Sequence, residues 1–263
     1  MQVMYRFYAD WNTKQRHFLK QYDIVPEQGF ASIDVFESQQ AKELLKTIKS
    51  WDVNEYYGTE FSKEDIRNSD LYAFIGVWEN GYPQPEGIEE YQNATYDTSK
   101  CCKECGTGLI QDRPFRLKRN VNWGNKIMFE LGWVYDEIFM KKNVFDNYFK
   151  NQFSLKCRNV VIHKTSKIVK DVVQIEIPTI NQNMKMKNYE FKICKTCNRK
   201  IYTPQIKGFI PNFDGGTGDY QIFRSIEFFG EIGGNPNQRI FITKKFYQTL
   251  VEHKLKPKVW VVK

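Results

Sequence analysis

Histidine is scarce in this chain: three in 263 residues, at His17, His163 and His253. None stands in HExxH spacing or beside a nucleophile motif, which excludes the familiar zinc-hydrolase signature and the usual nucleophile–histidine arrangements. His253, next to Glu252, reads as a helix-end or surface residue. Long hydrophobic runs are lacking as well. The longest, Leu71–Trp78, spans about eight residues, far short of the ~20 that carry a helix across a bilayer. The opening residues Met1-Gln2-Val3-Met4-Tyr5-Arg6 hold no apolar leader segment. Gly215-Gly216-Thr217-Gly218 lacks the lysine of a phosphate loop. The acid pairs Glu89-Glu90 and Asp136-Glu137 are sequence neighbours, and on a strand such neighbours face opposite sides. These absences point to a cytoplasmic protein that is not an enzyme and does not enter a membrane.

Six cysteines are present, and four of them form two short pairs. Cys102-Lys103-Glu104-Cys105 is followed by Gly106, and Cys194-Lys195-Thr196-Cys197 by Asn198. A CxxC pair grips one metal ion from a tight turn, and two pairs complete a tetrahedral four-thiolate site. The residue after each pair must tolerate positive φ, which glycine does freely and asparagine next best. Two other readings compete: a redox pair, for which no thioredoxin-like βαβ pattern is visible, and two turns with unliganded thiols. The gap of 88 residues between Cys105 and Cys194 is long for a zinc ribbon. The expected cofactor is one structural Zn2+ on Cys102, Cys105, Cys194 and Cys197. Cys157 precedes the apolar Val160–Ile162 and reads as packing. Cys101 lacks the spacing to replace Cys102.

Charge divides unevenly. Residues 1–100 carry 10 Lys and Arg against 17 Asp and Glu, whereas residues 101–263 carry 29 against 14. The expected organisation is therefore an acidic α+β region over 1–99 and a basic double-CxxC region over 100–263. In the first, Met4–Ala9 and Leu71–Trp78 read as strands and Ser38–Ser50 as a helix with Ala41, Leu44, Leu45 and Ile48 on one face. Ser62 and Asp65 form a capping box before a short helix near Lys63–Asn68. Glu79–Gly87, with two prolines and two glycines, reads as a loop.

The basic region contains an internal match at a constant offset of 102 residues. Ile138-Phe139-Met140, then Val144, Phe145, Tyr148, Phe149 and Phe153, align with Ile240-Phe241-Ile242, then Phe246, Tyr247, Leu250, Val251 and Leu255. The pattern is strand then helix, and a strand follows each time at Asn159–Ile162 and Lys258–Val262. The fold class expected is α+β: two pseudo-repeated strand–helix–strand units, about 100–180 and 190–263, joined by the cysteine knuckles. The second copy is ten residues longer between knuckle and strand, with Gly215–Gly218 and Gly233-Gly234-Asn235-Pro236 as places for the insertion.

One combination of residues resembles a known family. It consists of the CxxCG knuckle, Pro114-Phe115-Arg116-Leu117-Lys118, Trp133, Asp136-Glu137 and the second CxxC. It ends in Phe241-Ile242-Thr243-Lys244-Lys245-Phe246, Leu250 and His253-Lys254-Leu255. This is similar to the bacterial double-CXXCG motif proteins, some of which look like immunity proteins against polymorphic toxins. The resemblance covers roughly Lys100 to Lys263. Asn198 stands where the family pattern has glycine, and the resemblance does not extend to the first 100 residues. The resemblance implies a structural zinc role for the four cysteines and a binding role for the chain, with a cognate toxin as partner.

The acidic region is the expected face for a basic toxin, through Glu55, Glu60, Glu64 and Asp65 and through Glu86, Glu89 and Glu90. Trp51, Tyr56, Tyr57 and Trp78 are possible anchors there, or else core. The alternative is a zinc-ribbon nucleic-acid binder. Arg113, Arg116, Lys118, Arg119 and Lys126 would meet phosphates and the interleaved Phe115 and Trp123 would stack on bases. A solvated cationic hairpin is the plainer account of that stretch.

Overall fold

The computed structural model describes residues 1–204 and 206–263, which form two compact units. The smaller comprises Met1–Asn68 with residues 206–210, and the larger comprises Ser69–Pro204 with Pro211–Lys263.

In the smaller unit β1 (Gln2–Asp10), α1 (Thr13–Lys20), β2 (Phe30–Phe36), α2 (Lys42–Lys49), β3 (Asn54–Glu60) and α3 (Lys63–Asn68) follow one another. β1 is the centre of an antiparallel sheet ordered β2-β1-β3. Alternation puts Val3, Tyr5 and Phe7 on the buried face of β1, with Ile33 and Val35 beside them on β2. Leu44, Leu45 and Ile48 of α2 close over the same core, on the face the periodicity assigns to them. Asn12 and Gln15 form a reciprocal capping box at α1. Ser62 and Asp65 do the same at α3: Ser62 N–H donates to Asp65 (2.9 Å) and Asp65 N–H to Ser62 Oγ (3.0 Å).

The larger unit begins with β4 (Leu71–Gly76), β5 (Trp78–Glu79), α4 (Ile88–Thr95), β6 (Tyr96–Asp97), β7 (Ile110–Gln111) and β8 (Arg116–Leu117). It continues with β9 (Met128–Leu131), β10 (Val134–Lys141), α5 (Lys142–Val144), β11 (Cys157–Ile162), β12 (Ile168–Ile175), β13 (Phe191–Ile193) and β14 (Lys200–Tyr202). It ends with β15 (Ile222–Phe229), β16 (Asn237–Thr243), α6 (Lys244–Glu252) and β17 (Lys258–Val261). One six-stranded sheet runs β5-β9-β10-β12-β11-β8 and the other β13-β14-β15-β16-β4-β17. The core of the first centres on Phe115, Phe129 and Phe139, with Phe129 and Phe139 stacked across neighbouring strands at 5.0 Å. In the second, Phe223 and Phe241 stack at 5.6 Å. α6 is capped by Thr243, the last residue of β16, whose hydroxyl accepts from Phe246 N–H at 3.3 Å.

Three sequence expectations change here. The compact units part at Asn68/Ser69, not at residue 99/100. β4 is the reason: its apolar side chains Leu71, Tyr72, Ala73 and Phe74 are buried, and both its edges are paired, by β16 and β17. The acid excess also moves. Residues 1–68 carry eleven Asp and Glu against nine Lys and Arg, while residues 69–99, in the larger unit, add six acids and no base. The helix expected after Ile138–Met140 is only α5 followed by a π-helical turn over Phe145–Phe149, where Lys150 N–H donates to Phe145 O at 2.8 Å. That wider turn leaves Phe145 and Phe149 both fully buried.

Candidate metal centre and the cavity beside it

Each CxxC closes a turn with the same hydrogen bonds. Cys102 N–H donates to Thr107 O (2.8 Å) and Gly106 N–H to Cys102 O (2.7 Å). In the second turn Cys194 N–H donates to Arg199 O (3.0 Å) and Asn198 N–H to Cys194 O (2.9 Å). Gly106 at φ 76° and Asn198 at φ 57° both take the left-handed conformation that the sequence assigns to them. Each knuckle is the tip of a hairpin, between β6 and β7 in one case and β13 and β14 in the other.

The two knuckles meet. Cys102 Sγ lies 3.6 Å from Cys194 Sγ, and Cys105 Sγ 3.6 Å from Cys197 Sγ. All four sulfurs lie within 4.8 Å of one another. A tetrahedral ion with metal–sulfur bonds of about 2.3 Å sets its sulfurs about 3.8 Å apart, so this donor set fits one metal ion with every position filled by protein. Cys105 and Cys194 are buried and Cys197 is exposed. The backbone N–H of Cys105, the largest influence, and that of Glu104 hold the Cys102 thiol down to about 7. Burial, the largest influence on Cys194, pushes its thiol up. Cys101 Sγ turns aside toward Cys102 O at 3.8 Å.

The loop leaving the first knuckle, Gly106–Gln111, forms one wall of a cavity of about 960 Å³ within the larger unit. Its floor is a chain of polar side chains that sequence reading did not single out as a group. Arg224 Nη2 pairs with Glu137 at 2.6 Å, and Gln174 Nε2 donates to Glu137 at 2.8 Å. Gln111 and Gln174 exchange amide hydrogen bonds of 2.9 and 2.7 Å. Arg224 Nε also donates to Asp136 O (2.8 Å) and Nη1 to Ile177 O (3.2 Å). Burial pushes the Glu137 carboxyl up while Arg224 pulls it back, and Arg224 itself stays protonated. Sequence neighbours of Asp136 and Glu137 gave no sign of this pairing, because the guanidinium arrives from 87 residues downstream. Trp133, at φ 67°, sits in the hairpin between β9 and β10, and its ring packs at a tilt against Tyr82 with centroids 4.3 Å apart.

Nothing matches this chain among the protein-family models, the curated proteins or the solved structures with which it was compared.

The remaining sequence candidates separate. Glu55, Glu60, Glu64 and Asp65 lie in the smaller unit, and Glu86, Glu89 and Glu90 in the larger. Glu55 is held by Lys49 at 2.7 Å, and Asp65 serves as a helix cap. Glu60, Glu64, Glu89 and Glu90 are exposed. Of the aromatic anchors, Trp51 packs edge-on against Trp11 and Phe18, Trp78 edge-on against Phe129, and Tyr57 at a tilt against Tyr5, whereas Tyr56 is exposed. The cationic stretch is not a hairpin: β8 runs parallel to β11. Phe115 is fully buried and edge-on to Phe139, and Trp123 is buried with its indole N–H donating to Asp171 at 2.8 Å. Neither ring is open to a base, because both positions face the core. Arg113 contacts Asp112 at 3.0 Å, and Arg116 contacts Ser166 at 3.5 Å. Lys118 lies 3.9 Å from Glu86, so a residue proposed to meet phosphate and one proposed to meet a basic protein face each other. Lys126 is exposed. Among the described residues no helix is long and apolar enough to cross a membrane.

Proposed function

We propose that this chain is a cytoplasmic binding protein stapled by one structural zinc ion, and that its task is neutralising a cognate bacterial toxin by direct contact. The observation that carries the zinc reading is the sulfur geometry: two cross-knuckle pairs at 3.6 Å, all four sulfurs within 4.8 Å. Four thiolates leave no open position for substrate, which favours a scaffold role over a catalytic one. The toxin reading comes from the resemblance of residues 100–263 to double-CXXCG proteins. The exposed carboxylates Glu60, Glu64, Glu89 and Glu90 remain available to a basic partner.

The larger unit is, in this reading, a fused duplication bridged by the metal. Strand registers support it. Phe139 faces Gln174 and Phe129, while Phe241, 102 residues on, faces Ala73 and Phe223. Arg158 faces Gln174, and Trp260, again 102 residues on, faces Ala73. β4 thus stands in the second sheet where β12 stands in the first, supplied from before the first knuckle. The knuckles are offset by 92 and β9 and β15 by 94, so eight of the ten extra residues fall between β15 and β16, around Gly233–Pro236.

Two measurements test this. Metal analysis of the purified chain is expected to return one zinc per molecule, lost in Cys102→Ser and Cys197→Ser; a metal-free, fully folded chain rejects the scaffold. A nuclease-treated pull-down is expected to recover one protein in stoichiometric amount. Recovery of RNA or DNA alone without nuclease would reject the toxin reading.

A further inference from the structure

We propose that Glu104 and Arg199 are positioning residues for the metal: each crosses from its own knuckle to the other and gathers the sulfurs before the ion arrives. The inference rests on the tetrathiolate reading above. Glu104 Oε2 accepts from Thr196 N–H (2.9 Å) and Thr196 Oγ1 (2.6 Å), and lies 3.4 Å from Cys194 Sγ. In the opposite direction Arg199 Nη1 donates to Thr107 Oγ1, which lies 3.0 Å from Cys105 Sγ. Glu104 therefore touches a sulfur of the other knuckle directly, and Arg199 reaches one through Thr107.

The pattern of these contacts is informative. Cys102–Cys194, Cys105–Cys197, Glu104–Thr196 and Thr107–Arg199 are all separated by 92 residues. Every residue meets its own counterpart, as happens where two like surfaces meet at a two-fold axis. In a strict copy Glu104 would face glutamate or Arg199 would face arginine, and like charges at that distance repel. This chain sets threonine opposite each instead. A hydroxyl accepts from the guanidinium and donates to the carboxylate, so the departure from identity turns two repulsions into two hydrogen bonds. Neither bond involves the metal. Both knuckles are held together by their own residues, and the ordering of four cysteines from hairpins 92 residues apart is completed before ligation. Outer hydrogen-bonding partners of this kind contribute 10–100-fold to metal affinity in protein sites.

The test is zinc affinity of the full chain, by competition with a chromophoric chelator, with far-UV circular dichroism on each variant. Glu104→Ala and Arg199→Ala are expected to weaken zinc binding by roughly 10–100-fold with the spectrum unchanged. Glu104→Gln keeps a carbonyl oxygen for the Thr196 N–H and is expected to lie between Glu104→Ala and the parent. Should Glu104→Ala fail to fold, Thr196→Val, which removes only the hydroxyl, reads the same brace through a several-fold loss. Parent affinity in the alanine variants, or in Thr196→Val, overturns the proposal and leaves the tetrathiolate reading intact. A parent chain that takes up no zinc overturns that reading and this one together.

Discussion

Replacing Arg224 with methionine removes the cation from a buried pair and leaves Glu137 alone on the cavity floor. Three hydrogen bonds go: to Glu137 at 2.6 Å, Asp136 O at 2.8 Å and Ile177 O at 3.2 Å. Breaking one side of a buried pair costs about 3–5 kcal/mol, because the surviving charge has lost its solvation twice over. The Arg224 side chain is 15% exposed, so water shares the load and the lower end, about 3 kcal/mol, applies. That corresponds to a fall of roughly 6–12 °C in the melting temperature of the larger unit. The loss also depends on pH. Burial already raises the Glu137 carboxyl, and without Arg224 it rises further. Between its unfolded and folded values the folded state then binds more protons than the unfolded, so stability falls as pH rises through that window. Arg224→Met is therefore expected to be closer to the parent near pH 5 than near pH 8. Arg224→Met with Glu137→Gln should recover stability and lose the slope, since Gln still accepts from Gln174. Thermal unfolding followed by circular dichroism at the two pH values, zinc present, reads all of this. A loss below about 1 kcal/mol, or one that does not change with pH, would refute the assignment of Arg224 and Glu137 as a coupled buried pair.

Three further expectations follow from other sites. Burial pushes the Glu130 carboxyl up to about 7, with its cross-strand neighbour Glu79 adding to the effect. A raised carboxyl loses stability as pH climbs through 7, so Glu130→Gln should stabilise by about 2–3 kcal/mol at pH 9 and be neutral at pH 5; equal effects at both would count against it. Asn198→Gly should hold or raise the melting temperature, while Asn198→Val should lower it by an amount equivalent to about 1–2 kcal/mol, because φ 57° excludes a β-branched side chain. Arg116→Ala and Arg119→Ala are expected to leave any residual nucleic-acid retention unchanged in a salt-gradient assay, since Phe115 and Trp123 are enclosed; a shallower salt slope would revive the nucleic-acid reading.

Local features were legible because their causes are local. The capping box Ser62–Asp65 needs residues three apart, and the buried face of α2 needs only the 3.6 period. The left-handed residues after each CxxC could be named from their chemistry, since glycine and asparagine are the cheapest occupants of that conformation. The cationic stretch was misread for the opposite reason. Alternating rings and charges look alike whether the rings face solvent or core, and only β8 pairing with β11 turns Phe115 inward. The boundary near residue 100 followed charge, which reports on surface and not on packing. Acidic residues 69–99 fold with the basic part because β4, near the start of that stretch, is buried between β16 and β17.

The sequence by itself determined the α+β character, the cysteine positions that could share an ion, and the turns that present them, all through short-range spacing and conformational preference. It also displayed the 102-residue match. Tertiary structure alone decided that the two knuckles meet, that β4 completes a sheet from the far end of the chain, and that Glu137 finds Arg224. Those pairings join residues 87 to 189 positions apart. Nothing in local periodicity selects one distant partner over another; burial of apolar surface and satisfaction of the charges carried inside with it make the choice.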